Sequence, residues 1–232
     1  MASFTYGTHR YTYEVVRQSR KSIALTVYPD LRLEVRCPEH ATAERIEDFL
    51  KRKWRWLDAQ MTFFAQFSRK RYPKEYVSGE SFLYLGRQYT LNVRTGAKDY
   101  VTVEPGKLVV YTRYKEGRQQ RVKQLLDRWY RERARVVYTE RMLAVLPKFS
   151  LDESPALSIK VMQKRWGSYL NDGSIVLHPA LVQAPKHCID YVLVHELCHT
   201  KYKNHSGKFY SLLDAKYPGW QKVKQELEER LC

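Results

Sequence analysis

The stretch from His195 to Tyr210 reads HELCHTKYKNHSGKFY, and its spacing decides how the rest of the chain is read. Histidines at i and i+4 of a helix project from one face a turn apart, near enough for both imidazoles to reach one ion at about 2.0–2.1 Å. Glu196 follows the first histidine and is rotated about 100° around the helix, outside the inner shell but within reach of a metal-bound water. The helix is expected to end within a turn, with Asn204 suited to a left-handed terminus and His205 swinging back as a third ligand. Three protein ligands leave a fourth position for water, which separates a catalytic zinc from a closed structural one. On this pattern His195, His199 and His205 hold Zn2+ and Glu196 is the general base. It takes a proton from the metal-activated water as the hydroxide attacks a polarised carbonyl, then passes it to the leaving amine. The expected reaction is peptide hydrolysis without a covalent intermediate.

A bare HExxH arises by chance in roughly one or two chains per hundred of this size, and the later histidine lowers that rate by a further factor of about thirty. Ala184-Pro185 opens the metal helix, with Pro185 suited to its first turn, and Ile189, Val192, Leu193 and Leu197 form its buried stripe. Upstream, ALSIKVMQ (156–163) reads as a strand, and RWGSYL and SIVLH flank the hairpin signal Asn171-Asp172-Gly173. Trp166, Gly167 and Ser168 are read as part of a strand bordering the cleft, where an extended peptide substrate pairs through its backbone and Gly167 permits close approach. The competing account is that Trp166 fills the core and Gly167 makes room for it. His178 is read as a solvated strand-end histidine, with a role behind the ligands or toward the transition state as the alternative. Tyr202 and Arg165 are further candidates for stabilising the oxyanion. Cys198 is read as a small packing residue. Downstream, a helix is expected over 206–216, and another after Pro218-Gly219 carrying Trp220, Val223, Leu227 and Leu231 inward.

Toward the N-terminus the period changes. Residues 10–37 read as strands, with Ile23, Leu25 and Val27 and then Leu31, Leu33 and Val35 alternating about a Pro29-Asp30 turn. Ile46, Phe49, Leu50, Trp54, Leu57, Met61 and Phe64 fall on one helical face, and the basic loop SRKRYPK (68–74) ends that helix. Strands return in FLYLGRQYTLNV (82–93) and in YVTVEPGKLVVY (100–111), the latter turning at Pro105-Gly106. From 116 to 146 a helix is expected with Val122, Leu125, Leu126, Trp129, Val136 and Leu143 inward. No internal repeat or flexible linker is apparent in the sequence.

The 232 residues include 44 % hydrophobic and 28 % charged residues, ordinary for a folded globular protein. No stretch is apolar over the roughly 18 residues a membrane span needs, and the N-terminus lacks the apolar run of a secretory signal, so a cytoplasmic location is expected. Cys37, Cys188, Cys198 and Cys232 are scattered without a CxxC pair and read as reduced thiols. Lysine and arginine number 41 against 25 acidic residues, a net charge of +16 that favours acidic partners such as nucleic acid. KRKWRW (51–56) alternates aromatics with cations, as nucleic-acid patches do, but Trp54 also belongs to the buried stripe of its helix.

These residues together resemble the YgjP-like zinc metallopeptidase family. The resemblance is carried by Arg165-Trp166-Gly167-Ser168, Ala184-Pro185, Ile189-Asp190-Tyr191-Val192, Val194-His195-Glu196-Leu197-Cys198-His199, Asn204-His205-Ser206 and Phe209. It extends weakly through Arg20-Lys21-Ser22, Trp54 to Leu57 and the segment from Gly79 to Tyr89. It implies a zincin-like catalytic half, zinc as cofactor and peptidase activity. The family also looks like the SprT-like and WLM-type proteases, among them enzymes that digest proteins crosslinked to DNA. Tyr169 stands where the family commonly has cysteine, and His178 where another polar residue is common.

The expectation is an α+β fold: a β-rich N-terminal portion with one long helix (1–113) packed on a zincin-like catalytic portion (114–232), together one compact unit. The function expected is a zinc metallopeptidase acting on a peptide or protein substrate. The alternatives are a nucleic-acid-associated protease acting on DNA- or RNA-bound proteins, a non-catalytic metal-stabilised binding module, and deformylase-type chemistry on a small amide.

Overall fold

The computed structural model describes residues 2–7, 9–28, 31–67, 73–151, 153–162 and 165–231, without the side chains of Phe63, Phe64, Gln66 and Phe67. Pro29-Asp30 and most of the basic loop over 68–74 lie outside the described residues. The chain divides into two units, one up to Arg71 and one from Tyr72 to Leu231. The expected boundary at 113 therefore falls inside the second unit, because the strands over 81–112 share a core with the helix that follows them.

In the first unit, β1 (Ala2–Tyr6), β2 (His9–Gln18), β3 (Ala24–Val27) and β4 (Leu33–Pro38) precede a long helix, α1 (Ala43–Phe67). The sheet order is β1-β2-β4-β3. β1 pairs antiparallel with β2, β2 parallel with β4, and β3 antiparallel with β4. Phe4, Leu33 and Val35 from the sheet meet Ile46, Leu50 and Leu57 from α1 in the buried core. Trp54 and Met61 pack partly buried at its margin, whereas Lys51, Arg52, Lys53, Arg55 and Trp56 are exposed.

The second unit opens with the same plan. β5 (Ser81–Tyr84), β6 (Arg87–Thr95), β7 (Tyr100–Glu104) and β8 (Lys107–Thr112) form a sheet in the order β5-β6-β8-β7, followed by α2 (Arg118–Val145). The pairing senses are also the same. Phe4 faces Tyr11 in the first hairpin, and Phe82 faces Tyr89 in the corresponding hairpin. In the parallel pair Val15 faces Val35, and Val93 faces Val110. The helices also match: Tyr6 meets Trp54 at 5.0 Å between ring centroids, and Tyr84 meets Trp129 at 4.9 Å. The chain therefore carries a ββββα repeat that its sequence did not announce. Superposed by register, Ser3, Phe4, Tyr6, Tyr11, Thr12 and Val15 correspond to Ser81, Phe82, Tyr84, Tyr89, Thr90 and Val93.

Beyond α2 comes a three-stranded sheet of β9 (Leu157–Ile159), β10 (Gly167–Tyr169) and β11 (Ile175–Leu177), then a 3-10 turn (Pro179–Gln183) and the helices α3 (Lys186–Cys198), α4 (Gly207–Lys216) and α5 (Trp220–Leu231). The sheet order is β10-β11-β9, leaving β10 at an edge among the described residues. Gly173, with φ of +83°, makes the tight turn between β10 and β11.

α3 is buried nearly all round, from Cys188 to Cys198, as befits a central helix rather than a surface one. It packs against α2, α4, α5 and β10. The link to α2 is polar as well as apolar. Arg141 donates two hydrogen bonds to Asp190, at 2.6 and 2.7 Å, in the paired geometry that suits a guanidinium and a carboxylate. Tyr138 donates to the carbonyl of His178 at 2.8 Å. Val136 and Leu143, expected inward on α2, are 54 % and 64 % exposed. The inner face instead carries Ala134, Val137, Tyr138, Met142 and Val145.

Candidate active site

α3 delivers His195 and Glu196 from its last full turn and places His199 at its C-terminal cap. The helix stops there: the N–H groups of Thr200, Lys201 and Tyr202 close tight turns onto the carbonyls of Leu197 and Cys198. Asn204 does not take the expected left-handed conformation. The chain turns instead through a short Ser206 N–H to Asn204 carbonyl bond of 2.8 Å, which leaves His205 facing back toward α3.

The ligand atoms of His195, His199 and His205 all lie within 4.8 Å of one another. The Nε2 atoms of His195 and His205 face each other at 2.9 Å, close to the roughly 3.3 Å that two nitrogens subtend across a tetrahedral zinc. His199 donates through Nδ1 to the carbonyl of Tyr202 at 2.9 Å, the tautomer that leaves Nε2 as an acceptor. Tyr202 thus acts through its backbone, and its side chain does not line the cleft.

Phe209 of α4, fully buried, packs against all three imidazoles at 4.7 to 5.0 Å between ring centroids. It holds the rings from behind. In the sequence Phe209 stands out only through the family resemblance. Its position three residues after the loop serine, at the start of an amphipathic helix, was the available signal.

Burial, then the neighbouring His205 and His199, push His195 down to about 3, so its ring is neutral, the form in which imidazole ligates. Its buried Nδ1 has no hydrogen-bond partner among the described residues. His205 is lowered too, again first by burial. The donor set therefore fits a zinc ion: three imidazoles in tetrahedral reach, with one tautomer fixed from behind.

Glu196 is 6 % exposed, and burial raises its carboxyl to about 7, opposed by the Tyr169 backbone N–H and the charge of Arg165. β10 crosses so close to it that a Cβ on Gly167 would lie 2.6 Å from Glu196 Oε1 and 2.9 Å from Val192 Cγ1. The glycine makes room for the carboxylate, while Trp166 packs partly buried against the core. Trp166, Gly167, Ser168 and Tyr169 line an open cleft of about 870 Å³ together with the three histidines and Glu196. Arg165 lines it as well and donates to Ser168 Oγ at 3.0 Å.

The domain family described as YgjP-like metallopeptidase matches residues 21–230. The chain belongs to this family. Membership makes it a metal-dependent peptidase, and the match runs from the part of the first repeat after β2 through the second repeat into α5. Parts of the chain are also similar to two crystal structures of metallopeptidase zymogens. Pyrococcus abyssi abylysin is 19 % identical over 40 % of this chain and 94 % of that one, with a TM-score of 0.38. Methanocaldococcus jannaschii jannalysin is 21 % identical over 43 % and 97 %, with a TM-score of 0.35. No curated protein matches the chain.

Of the remaining YgjP-like positions singled out in the sequence, His178 is not a solvated strand end. It is half-buried, its Nδ1 accepts from the Ala180 N–H at 3.1 Å, and it caps the 3-10 turn outside the cleft lining. Burial lowers its pKa, in keeping with an accepting Nδ1. Cys37, Cys188 and Cys198 are buried free thiols, and burial pushes Cys198 up to about 11, as expected of a packing residue. A second group, His187, Cys188 and Glu226, lies close enough to share an ion, but Glu226 is already engaged by His187 at 2.7 Å and Arg230 at 2.9 Å. No described helix is long and apolar enough to cross a membrane. One cleft wall escaped the sequence reading altogether: α5 contributes Lys224, Leu227 and Glu228.

Proposed function

We propose that this metallopeptidase is a zinc enzyme in which His195, His199 and His205 hold the metal and Glu196 is the general base. The observation that carries the reading is the convergence of three imidazoles beside a buried carboxylate in an open cleft. Zinc held there supplies a Lewis acid for the scissile carbonyl and lowers the pKa of water. Glu196 takes a proton from the attacking water and delivers it to the leaving amine. Its desolvated setting, with Tyr169 N–H as a fixed donor, keeps the carboxyl poised to carry that proton in both directions.

β10 supplies the substrate rail. As an edge strand among the described residues it offers an extended peptide the backbone groups that neither β11 nor Glu196 takes, and Trp166, Gly167 and Ser168 hold that peptide across Glu196. A purely structural metal site has no need of Glu196, which favours the enzyme over a binding module.

The test is metal analysis beside peptide cleavage by the wild type and Glu196→Gln. Both proteins are expected to hold about one zinc, with hydrolysis lost in the variant by a factor of at least about 1,000. Cleavage retained by Glu196→Gln would remove the general base from the mechanism.

A further inference from the structure

The cleft holds a carboxylate that the proposed chemistry does not use. Its lining carries three cations, Arg165, Lys203 and Lys224, and three carboxylates, Asp172, Glu196 and Glu228. The chain as a whole has 41 basic residues against 25 acidic ones, so the cleft is charge-balanced inside a strongly basic protein. The basic surplus therefore lies elsewhere, and each carboxylate in the cleft calls for its own account.

Asp172 is satisfied by the backbone N–H and the hydroxyl of Ser174, at 2.9 and 2.6 Å. Glu196 has the Tyr169 N–H and a catalytic task. Glu228 has neither. No hydrogen-bond donor reaches it among the described residues, and its nearest ion pair is with Lys224 one helical turn away, at 3.8 Å. Its side chain is 26 % exposed while that of Lys224 is 51 % exposed, so the lysine is free to swing to solvent. A part-buried carboxylate with so weak a partner has room for a stronger one.

Its position says what that partner is. Tyr191 precedes His195 by one turn on the same face of α3, its ring edge-on to His195 at 6.0 Å between centroids. Glu228 lines the same cleft as Tyr191 and the three histidines, so a group bound at Glu228 lies in the cleft that takes the peptide.

We propose that Glu228 is a substrate-recognition residue that binds a cationic group of the peptide, an ammonium or a guanidinium, in the cleft where the peptide is cut. This rests on the peptidase reading of the same cleft. The cation exchanges the loose contact with Lys224 for charge-assisted hydrogen bonds, and a neutral peptide leaves the carboxylate without them. A lysine or arginine side chain and a free α-amino group deliver the same chemistry.

The experiment pairs peptides carrying lysine or norleucine at each position around the cleaved bond, each with a free or an acetylated N-terminus. Binding is measured by calorimetry on zinc-loaded Glu196→Gln protein with and without Glu228→Gln. Cleavage is measured on the wild type and Glu228→Gln. Cationic peptides are expected to bind about 10- to 100-fold more tightly than their norleucine partners, with that ratio falling toward one in Glu228→Gln and the kcat/KM ratio falling in parallel. A preference lost on acetylation assigns the α-amino group, and one that follows lysine assigns the side chain. Equal ratios with and without Glu228, or no preference for a cation at any position, overturn the proposal. A Glu228-dependent preference in binding without cleavage by the wild type would overturn the peptidase reading and leave this inference standing.

Discussion

The helix of the first ββββα repeat buries one stripe, and the helix of the second buries two. Among described side chains α1 commits Ile46, Leu50 and Leu57 fully to its own sheet. α2 commits adjacent pairs, Leu125 with Leu126, Trp129 with Tyr130 and Val137 with Tyr138, because it serves its sheet on one side and α3, β9 and the 3-10 turn on the other. The shared plan includes the same aromatic pair in both repeats, Tyr6 with Trp54 and Tyr84 with Trp129. The difference is that the helix of the second copy also backs α3, which carries the proposed metal ligands His195 and His199. A small sheet with one long helix is a scaffold, and its function depends on what the outer face of that helix is given to hold.

The largest effect should separate the two tryptophans. Trp129→Ala empties a buried position and is expected to cost about 3–5 kcal/mol in chemical denaturation, with metal uptake weakened as α2 shifts behind α3. Trp54→Ala removes a partly buried ring, is expected to cost about half as much, and should leave metal stoichiometry unchanged. Equal loss of metal from both variants would erase the distinction between scaffold and back wall.

Next in size is Arg141→Ala. It strips the paired hydrogen bonds from a part-buried Asp190 on α3 and is expected to lower stability by about 1–3 kcal/mol. Adding Asp190→Asn should recover part of the loss, and a double-mutant cycle with no coupling would show that the pair does not tie the two helices together.

The smallest effects belong to Val136→Ser and Leu143→Ser. Both side chains face outward, so each change should stay within about 0.5 kcal/mol. A loss above about 2 kcal/mol at either would return these residues to the inner face.

The last pair also shows where sequence reading ran out. Val122, Trp129, Val136 and Leu143 recur every seven residues, and a straight helix drifts about 20° per heptad against such a repeat. Three heptads carry the stripe off the face, and the core passes to Val137, Tyr138 and Met142. The metal segment was legible because its constraint is local: spacing along one helix brings His195, Glu196 and His199 together, with His205 a short loop away. The repeat was not, since the matching residues lie 78 positions apart in the first hairpin (Tyr6 and Tyr84) but 75 apart at the tryptophans (Trp54 and Trp129). Register in the two sheets was needed to align them. α5 was expected to face inward through Trp220, Val223, Leu227 and Leu231, and Leu227 is buried with the other three packed partly buried beside it, but periodicity does not say which core a helix flanks or that Glu228 borders a cleft.

The turn of the second repeat's first hairpin sets a direction on all this. Leu85 and Gly86 donate their N–H groups to the carbonyls of Val182 and Gln183, and a Cβ on Gly86 would lie 2.6 Å from Pro185 Cγ, at the threshold of α3. Any side chain at position 86 would therefore prise the start of α3 outward. One missing methyl group makes this hairpin a socket for the helix that carries His195 and Glu196.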